Sequence, residues 1–433
     1  MNRIILIGNG FDLTHNLKTK YEHFIDNFWK KTINEYRNKI DIDKNSFDID
    51  ESKIGLYEND IISITNSLSA NSCFHYCNSY HTINIREINS YNALCAYLKE
   101  ENAQIEFKNQ FLKIITNKYT LENWVDVEEE YYKQLKDIVE KKSKCYENTP
   151  THKAVEILNA DFEDIKKALQ DYLIPENHKT IKRIKNLFNK IYSRFNMKDL
   201  TNIGISKLVN EMYDKYLHGL KNNESKMLEF EKSIDDIGLN TNNVKHIKDE
   251  IRKEIFQPKS KFFDLSPWNT LFLSFNYTAT EQLYKKNTGY QVIHLHGKLK
   301  SDNNPIIFGY GNEQDELHKK IENLGGKYLD NIKTINYSKK DNYKKLLNFI
   351  ESDIYQVFIM GHSCGMSDRT LLKTLFEHEN CISIKPFYYI NEDGNDNYDD
   401  LIKNIYKVFY DKALMRSKVV NKDYCEPYND KSK

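Results

Sequence analysis

The apolar positions of this 433-residue chain fall into two kinds of pattern. Near the start and in the last third they form short runs, at 4–7, 271–275, 292–295, 306–308, 357–360 and 382–390. Such runs are too short for helices and rich enough in β-branched and aromatic residues to read as buried strands. Segments with helical spacing separate several of them, at 278–286, 317–324, 343–350, 370–378 and 397–414. Between about 60 and 258 the spacing changes to threes and fours: Trp124, Val127, Tyr131 and Leu135, then Val155, Leu158, Phe162, Ile165 and Leu169. Charged residues fill many of the intervening positions, as on amphipathic helices, and no convincing strand or fixed-period repeat stands out.

Strands that alternate with helices predict an α/β domain with a mostly parallel sheet. The strand at 4–7 needs neighbours that the middle cannot supply. The predicted fold is therefore a Rossmann-like core assembled from 1–40 and 262–415, interrupted at 41–261 by a large all-helical insertion. A helix is expected over 20–36, a polar loop over 41–60, and a charged tail over 416–433, frayed from 418.

Charge narrows the function. Lys plus Arg and Asp plus Glu are both 63, and this balance argues against a general nucleic-acid binder, which needs a cationic face. The 30 Tyr and 22 Phe supply enough apolar area for a core. Seven scattered cysteines in a chain that opens with only four apolar residues before glycine read as reduced thiols in the cytoplasm. No apolar run approaches the ~18 residues that a membrane helix needs.

Four strand ends carry the candidate chemistry. The run at 4–7 stops at Gly8-Asn9-Gly10, followed by Phe11 and Asp12. Such a turn lets backbone approach a ligand and aims a helix N-terminus at a phosphate, although the third glycine of the dinucleotide fingerprint is missing. An ordinary strand-to-helix turn explains it equally well. Asn276 follows the run 271–275, either at the mouth of a site or in a capping role. In Val292-Ile293-His294-Leu295-His296-Gly297 both histidines share one strand face. His296, at the strand end beside Gly297, is the site candidate, and His294, one pleat deeper, reads as structural. Gly361, His362 and Ser363 end the run 357–360, and Asp368 is placed to cap the next helix. Metal is not expected: the two histidines lack further ligands, and Cys73, Cys77 and His81 lack a second pair. The acids from Asp126 to Glu130 fit favourable charge at a helix N-terminus.

The opening ILIGNGFDL, the acidic WVDVE, FNYT, HLHG and the late MGHSCGMSD resemble the AbiH family of bacterial phage abortive-infection proteins, from residue 1 to about 375. At greater distance the motifs resemble sirtuin-like NAD-binding domains. That resemblance implies NAD as substrate, with Gly8, Asn9 and Gly10 at the pyrophosphate and Asn276 placing the ribose and a water. His296 would be the base, and Gly297, Gly361, His362 and Ser363 would line the remainder. Asp12 and Thr278 depart from the sirtuin-like pattern, and the structural zinc motif of deacylating sirtuins is missing. The implied activity is hydrolysis of NAD to nicotinamide and ADP-ribose in phage defence. A phage or host protein is expected as trigger, and a homo-oligomer as the assembly. A nucleotide-binding sensor without catalysis is the alternative, and a nuclease has less support.

Overall fold

Every residue of β1 (Asn2–Ile7) is buried, because other strands flank it on both sides and helices cover both its faces. The computed structural model describes residues 1–45, 56–66, 84–122, 126–219, 224–236, 243–258, 260 and 262–429. The other strands among these residues are β2 (Tyr57–Glu58), β3 (Ile62–Asn66), β4 (Ala103–Phe107), β5 (Thr270–Ser274), β6 (Tyr290–His294), β7 (Tyr355–Met360) and β8 (Cys381–Phe387). Five of them form an all-parallel sheet in the order β6-β5-β1-β7-β8. Numbered by their succession in the chain, that order is 3-2-1-4-5, a doubly wound arrangement whose direction of growth reverses between β1 and β7. The α/β fold with a parallel sheet is as the alternation of runs and helices predicts.

Strand alternation sorts the core into two layers. Ile4, Leu6, Leu273, Val357 and Ile359 pack beneath the helices Asn342–Ser352, Arg369–Glu377 and Tyr398–Val408. Ile5, Ile7, Phe272, Phe358 and Met360 face the other way, toward Leu187 and Ile191 of the helix Lys185–Ile191. That helix lies within the stretch read as an insertion, yet it covers the sheet. Arg3, fully buried, fastens it there by donating to the carbonyls of Ile191 at 3.0 Å and Ser193 at 2.5 Å, and to Gln356 Oε1 at 3.2 Å.

The sequence pattern predicts an all-helical middle, and the structure corrects this. β2, β3 and β4 form a three-stranded antiparallel sheet. Ile62 and Ile64 of β3 are fully buried and alternate with half-buried Ser63 and Thr65, so its period-two signal spans two repeats and is lost among polar neighbours. The helix expected over 20–36 runs from Tyr21 to Asn45 and takes up the start of the expected loop. The run 306–308 is not a strand. Ile306 and Phe308 pack into the core of the middle region, where the Phe162 and Phe308 rings stack at 4.6 Å, while Ile307 packs beneath the sheet. Residues 419–429, expected to fray, run along β8: Val420 N–H donates to Ile384 O at 2.9 Å and Tyr428 N–H to Tyr388 O at 3.0 Å. The segment holding Cys73, Cys77 and His81 lies outside the described residues. No helix among the described residues is long and apolar enough to cross a membrane.

The turns after β1 and β7 meet backbone to backbone. Gly10 N–H donates to Gly361 O at 2.8 Å. Gly361 has a φ of +79°, and a Cβ there would lie 2.1 Å from Phe11 N. Gly361→Ala should therefore cost about 2 kcal/mol or more, from backbone strain and the forced separation of the turns. Urea unfolding of parent and variant measures this, and a loss below about 0.5 kcal/mol would mean that the turns part freely.

Candidate functional site

A cavity of about 700 Å³ opens where the carboxyl ends of β1, β5 and β7 converge. Gly8, Asn9, Gly10 and Asp12 line it from β1, Asn276 and Thr278 from β5, His296 from just beyond β6, and Gly361, His362 and Ser363 from β7. Residues singled out at four distant points of the sequence thus share one space. Gly297 is the exception. Its φ of +84° turns the chain, and a Cβ there would meet Pro305 O at 2.1 Å, so its task is packing.

The glycine turn differs in one respect from a phosphate cradle. Gly10 N–H is already taken by Gly361 O, and Gly8 N–H points at Met360 O at 3.5 Å. Asn276 braces the same turn, its Nδ2 donating to Gly8 O at 2.9 Å. His294 is structural, as its depth in the strand implies. Its Nε2 meets Glu281 Oε1 at 2.9 Å, and both side chains are 1 % exposed.

Asp12 and Thr278 are partners. Thr278 Oγ1 donates to Asp12 Oδ2 at 2.5 Å, while Asp12 Oδ1 is buried without a hydrogen-bond partner. Burial pushes the Asp12 carboxyl up to about 6, against the pull of the Thr278 hydroxyl.

Behind His296 stands a charge network that the sequence pattern does not reveal. Asp368 was expected to cap the helix Arg369–Glu377 but makes no capping bond. Its Oδ1 lies 2.8 Å from Lys333 Nζ and 3.1 Å from His296 Nε2, and its Oδ2 lies 3.5 Å from His362 Nε2. Lys333, with no exposed side-chain surface, reaches Glu128 Oε2 at 2.9 Å on its other side. Glu128 Oε1 accepts Gly309 N–H at 3.0 Å. Asp126 does cap the helix Val127–Val139, accepting from the N–H groups of Glu128 and Glu129. The helix-terminus reading therefore holds for Asp126, but it misses that Glu128 and Asp126 both face the cavity. Lys333 carried no sequence signal at all.

Charge in this network follows from desolvation. Burial works against the charge on Asp368, but Lys333, His296 and His362 outweigh it and hold that carboxyl well below the usual carboxylate range. Burial also opposes the charge on Lys333, and the two carboxylates overcome it, so the amine stays protonated above its ordinary range. Glu128 is left as the surplus anion. Burial pushes its carboxyl up to about 7 despite Lys333, with repulsion from Asp368 and Asp126 in the same direction. Burial and then Lys333 push His296 down to about 4, so its ring is uncharged near neutral pH. The His296 Nε2 edge meets Asp368 and Tyr337 Oη, the latter at 3.0 Å. With the proton on Nε2, facing the carboxylate, Nδ1 carries the lone pair. In His362 the Nδ1 accepts Cys364 N–H at 2.9 Å, which puts its proton on Nε2, facing Asp368. Among the described residues no group of three or more His, Cys, Asp or Glu is arranged to hold a metal ion. Lys333 Nζ sits between Glu128 and Asp368, where a bridging cation would stand.

Two outcomes follow for stability. Asp12 has a raised carboxyl pKa in the folded state, so its contribution is fully present below the unfolded value near ~4 and is lost as pH rises through about 6. Asp12→Asn removes this dependence. The variant should gain on the parent by roughly 2–3 kcal/mol between pH 4 and pH 8, and thermal melts across that range read the difference. A constant difference would show that Asp12 ionises without cost. His294→Ala should cost about 1–3 kcal/mol, because it leaves the buried Glu281 carboxylate with the Gln282 amide but without its imidazole. Equal urea midpoints for parent and variant would refute that.

A family model for bacteriophage abortive infection AbiH matches residues 4–389. No curated protein and no solved structure matches the chain significantly. The match takes in four strands of the parallel sheet whole, β1 from Ile4 onward, and every strand-end residue described above. The chain belongs to the AbiH family of bacteriophage abortive-infection proteins.

Proposed function

We propose that this protein binds NAD and hydrolyses its nicotinamide–ribose bond, releasing nicotinamide and ADP-ribose and so depleting an infected cell of the dinucleotide. The observation that carries this reading is the meeting of Asn276, His296 and Asp12 in one cavity at the point where strand order reverses. Open α/β sheets take dinucleotides at that place. The cavity volume also lies within the ~300–1,000 Å³ of ordinary ligand sites.

Each residue has a task in that reaction. His296, neutral and oriented by Asp368, turns Nδ1 to a ribose hydroxyl. Asp12, its Oδ2 held by Thr278, sets a carboxyl in the wall beside that ribose. Asn276 positions the ribose and the attacking water while bracing the Gly8 carbonyl. Because the Gly8 and Gly10 N–H groups are engaged, the pyrophosphate is met instead at the rim, where Lys20 and Ser363 line the cavity. Breaking the bond to nicotinamide leaves an oxocarbenium-like ribose, and the acids of the wall are fixed charges of the right sign for it.

The binding-only alternative drew its support from Asp12 and Thr278 as departures from the sirtuin-like pattern. Their bond to each other supports a built site over a decayed one. The same proposal includes a phage or host protein as trigger and a homo-oligomer as the working form.

The test is NAD consumption by the activated protein, in infected cells and after purification. His296→Ala and Asn276→Ala should each lower it by about 10²-fold or more through lost positioning, with melting temperatures within a few degrees of the parent. A fully activated parent that leaves NAD untouched would sink the reading.

A further inference from the structure

In NAD hydrolysis the attacking water must give up a proton, and His296, its Nε2 tied to Asp368 and Tyr337 and its Nδ1 given to a ribose hydroxyl, has no further nitrogen to take it. We propose that Glu128, contributed by the middle region of the chain, is the catalytic base that takes this proton, and that Lys333 positions it. This rests on the NAD-hydrolase reading and adds a residue which that reading does not contain.

Geometry carries the assignment. Glu128 lines the same cavity as Asn276, Asp12 and His296. Its two fixed donors, Gly309 N–H and Lys333 Nζ, hold one oxygen each and set the carboxylate plane. A carboxylate has about four acceptor sites, so these two bonds leave room for a water. Lys333 links it to Asp368, and Asp368 to His296, so the base and the ribose-orienting imidazole are parts of one rigid chain of contacts. A separate observation points to a ligand in this space. Asp12, 1 % exposed, has an oxygen with no partner and lines the same cavity.

The step balances. A water O–H proton passes to a Glu128 oxygen as the water oxygen bonds to the ribose C1′. The C1′–N bond breaks, its electron pair neutralises the pyridinium ring, and nicotinamide leaves. Glu128 then releases the proton to solvent. The titration of Glu128 is set by every charged or titratable neighbour named with it: Asp126 on its own helix, Lys333 and Asp368 from other elements, and the hydroxyls of Tyr21, Tyr277 and Tyr337, which sense its charge. Burial pushes its carboxyl up to about 7, so the ionised base accumulates as pH rises through neutrality.

The experiment compares parent, Glu128→Gln, Glu128→Asp and the exposed control Glu129→Gln. NAD turnover is followed from pH 5 to 9, with ADP-ribose binding by calorimetry. The parent rate should climb with pH and level off above about 7. Glu128→Gln should lower kcat by about 10²–10⁴-fold with ADP-ribose affinity kept within about threefold, and lose the rising limb. Glu128→Asp should retain a rising limb at reduced kcat, and Glu129→Gln should match the parent. Undiminished kcat and an unchanged profile in Glu128→Gln would overturn the assignment while leaving the NAD reading intact. Should Glu128→Gln fail to fold, unchanged kcat in Glu128→Asp overturns it equally. A parent that consumes no NAD under any activation removes the hydrolase reading and this assignment together.

Discussion

The site depends on the contact between two turns that carry no side chains where they touch. Gly10 and Gly361 bring the ends of β1 and β7 together through a hydrogen bond between their backbones. Any Cβ at either position would push them apart. The parallel sheet supplies the direction, since all five strands point their carboxyl ends the same way. The contact supplies the closeness. It sets the Asp12 turn beside His362 and Ser363, and Asn276 fixes the third strand end by bonding the Gly8 carbonyl.

A second constraint is electrostatic. Asp368 is a buried anion that gathers one ammonium and two imidazoles. Burying such a group costs several kcal/mol unless its partners are in place. Here the partners arrive from separate parts of the chain: His296 after β6, Lys333 from the helix Lys333–Tyr337, and His362 after β7. Glu128 comes from the middle region, so that region is a wall of the site as well as a cover for the sheet. The arrangement leaves the network with one carboxylate more than it has ammonium groups.

The sheet and its strand ends were legible in the sequence because buried parallel strands are continuous apolar runs, and the residue that stops each run stands at its carboxyl end. Asn276, His296 and Ser363 could be named on that ground alone. β3 and β4 were not legible, since alternation over five residues with polar flanks resembles amphipathic noise. The charge network was hidden for another reason. Sequence periodicity reports which apolar residues are buried, whereas Lys333, Glu128 and Asp368 are buried by virtue of each other. Nothing local distinguishes Lys333 from the exposed lysines around it. The available hints were the acids from Asp126 to Glu130 and Asp368 ahead of a helix, and ordinary helix-end chemistry accounts for both in the sequence.

The central strand of the sheet is the first one synthesised, and its two neighbours are among the later ones. β1 pairs with β5 from Arg3↔Thr270 onward and with β7 from Asn2↔Tyr355 onward. At roughly 5–20 residues per second, a ribosome needs on the order of 15–50 s to reach β5. Throughout that time a strand with four consecutive apolar residues, Ile4 to Ile7, has no partner in the sheet. Such a segment must be shielded by the middle region as it folds, or by a chaperone. The same order of events leaves the cavity unfinished until late in synthesis. His362, Ser363 and Tyr428 are among the walls of the cavity, so a nascent or prematurely ended chain holds only part of the site. The residues that follow β7 thus close a pocket that the turn after β1 begins.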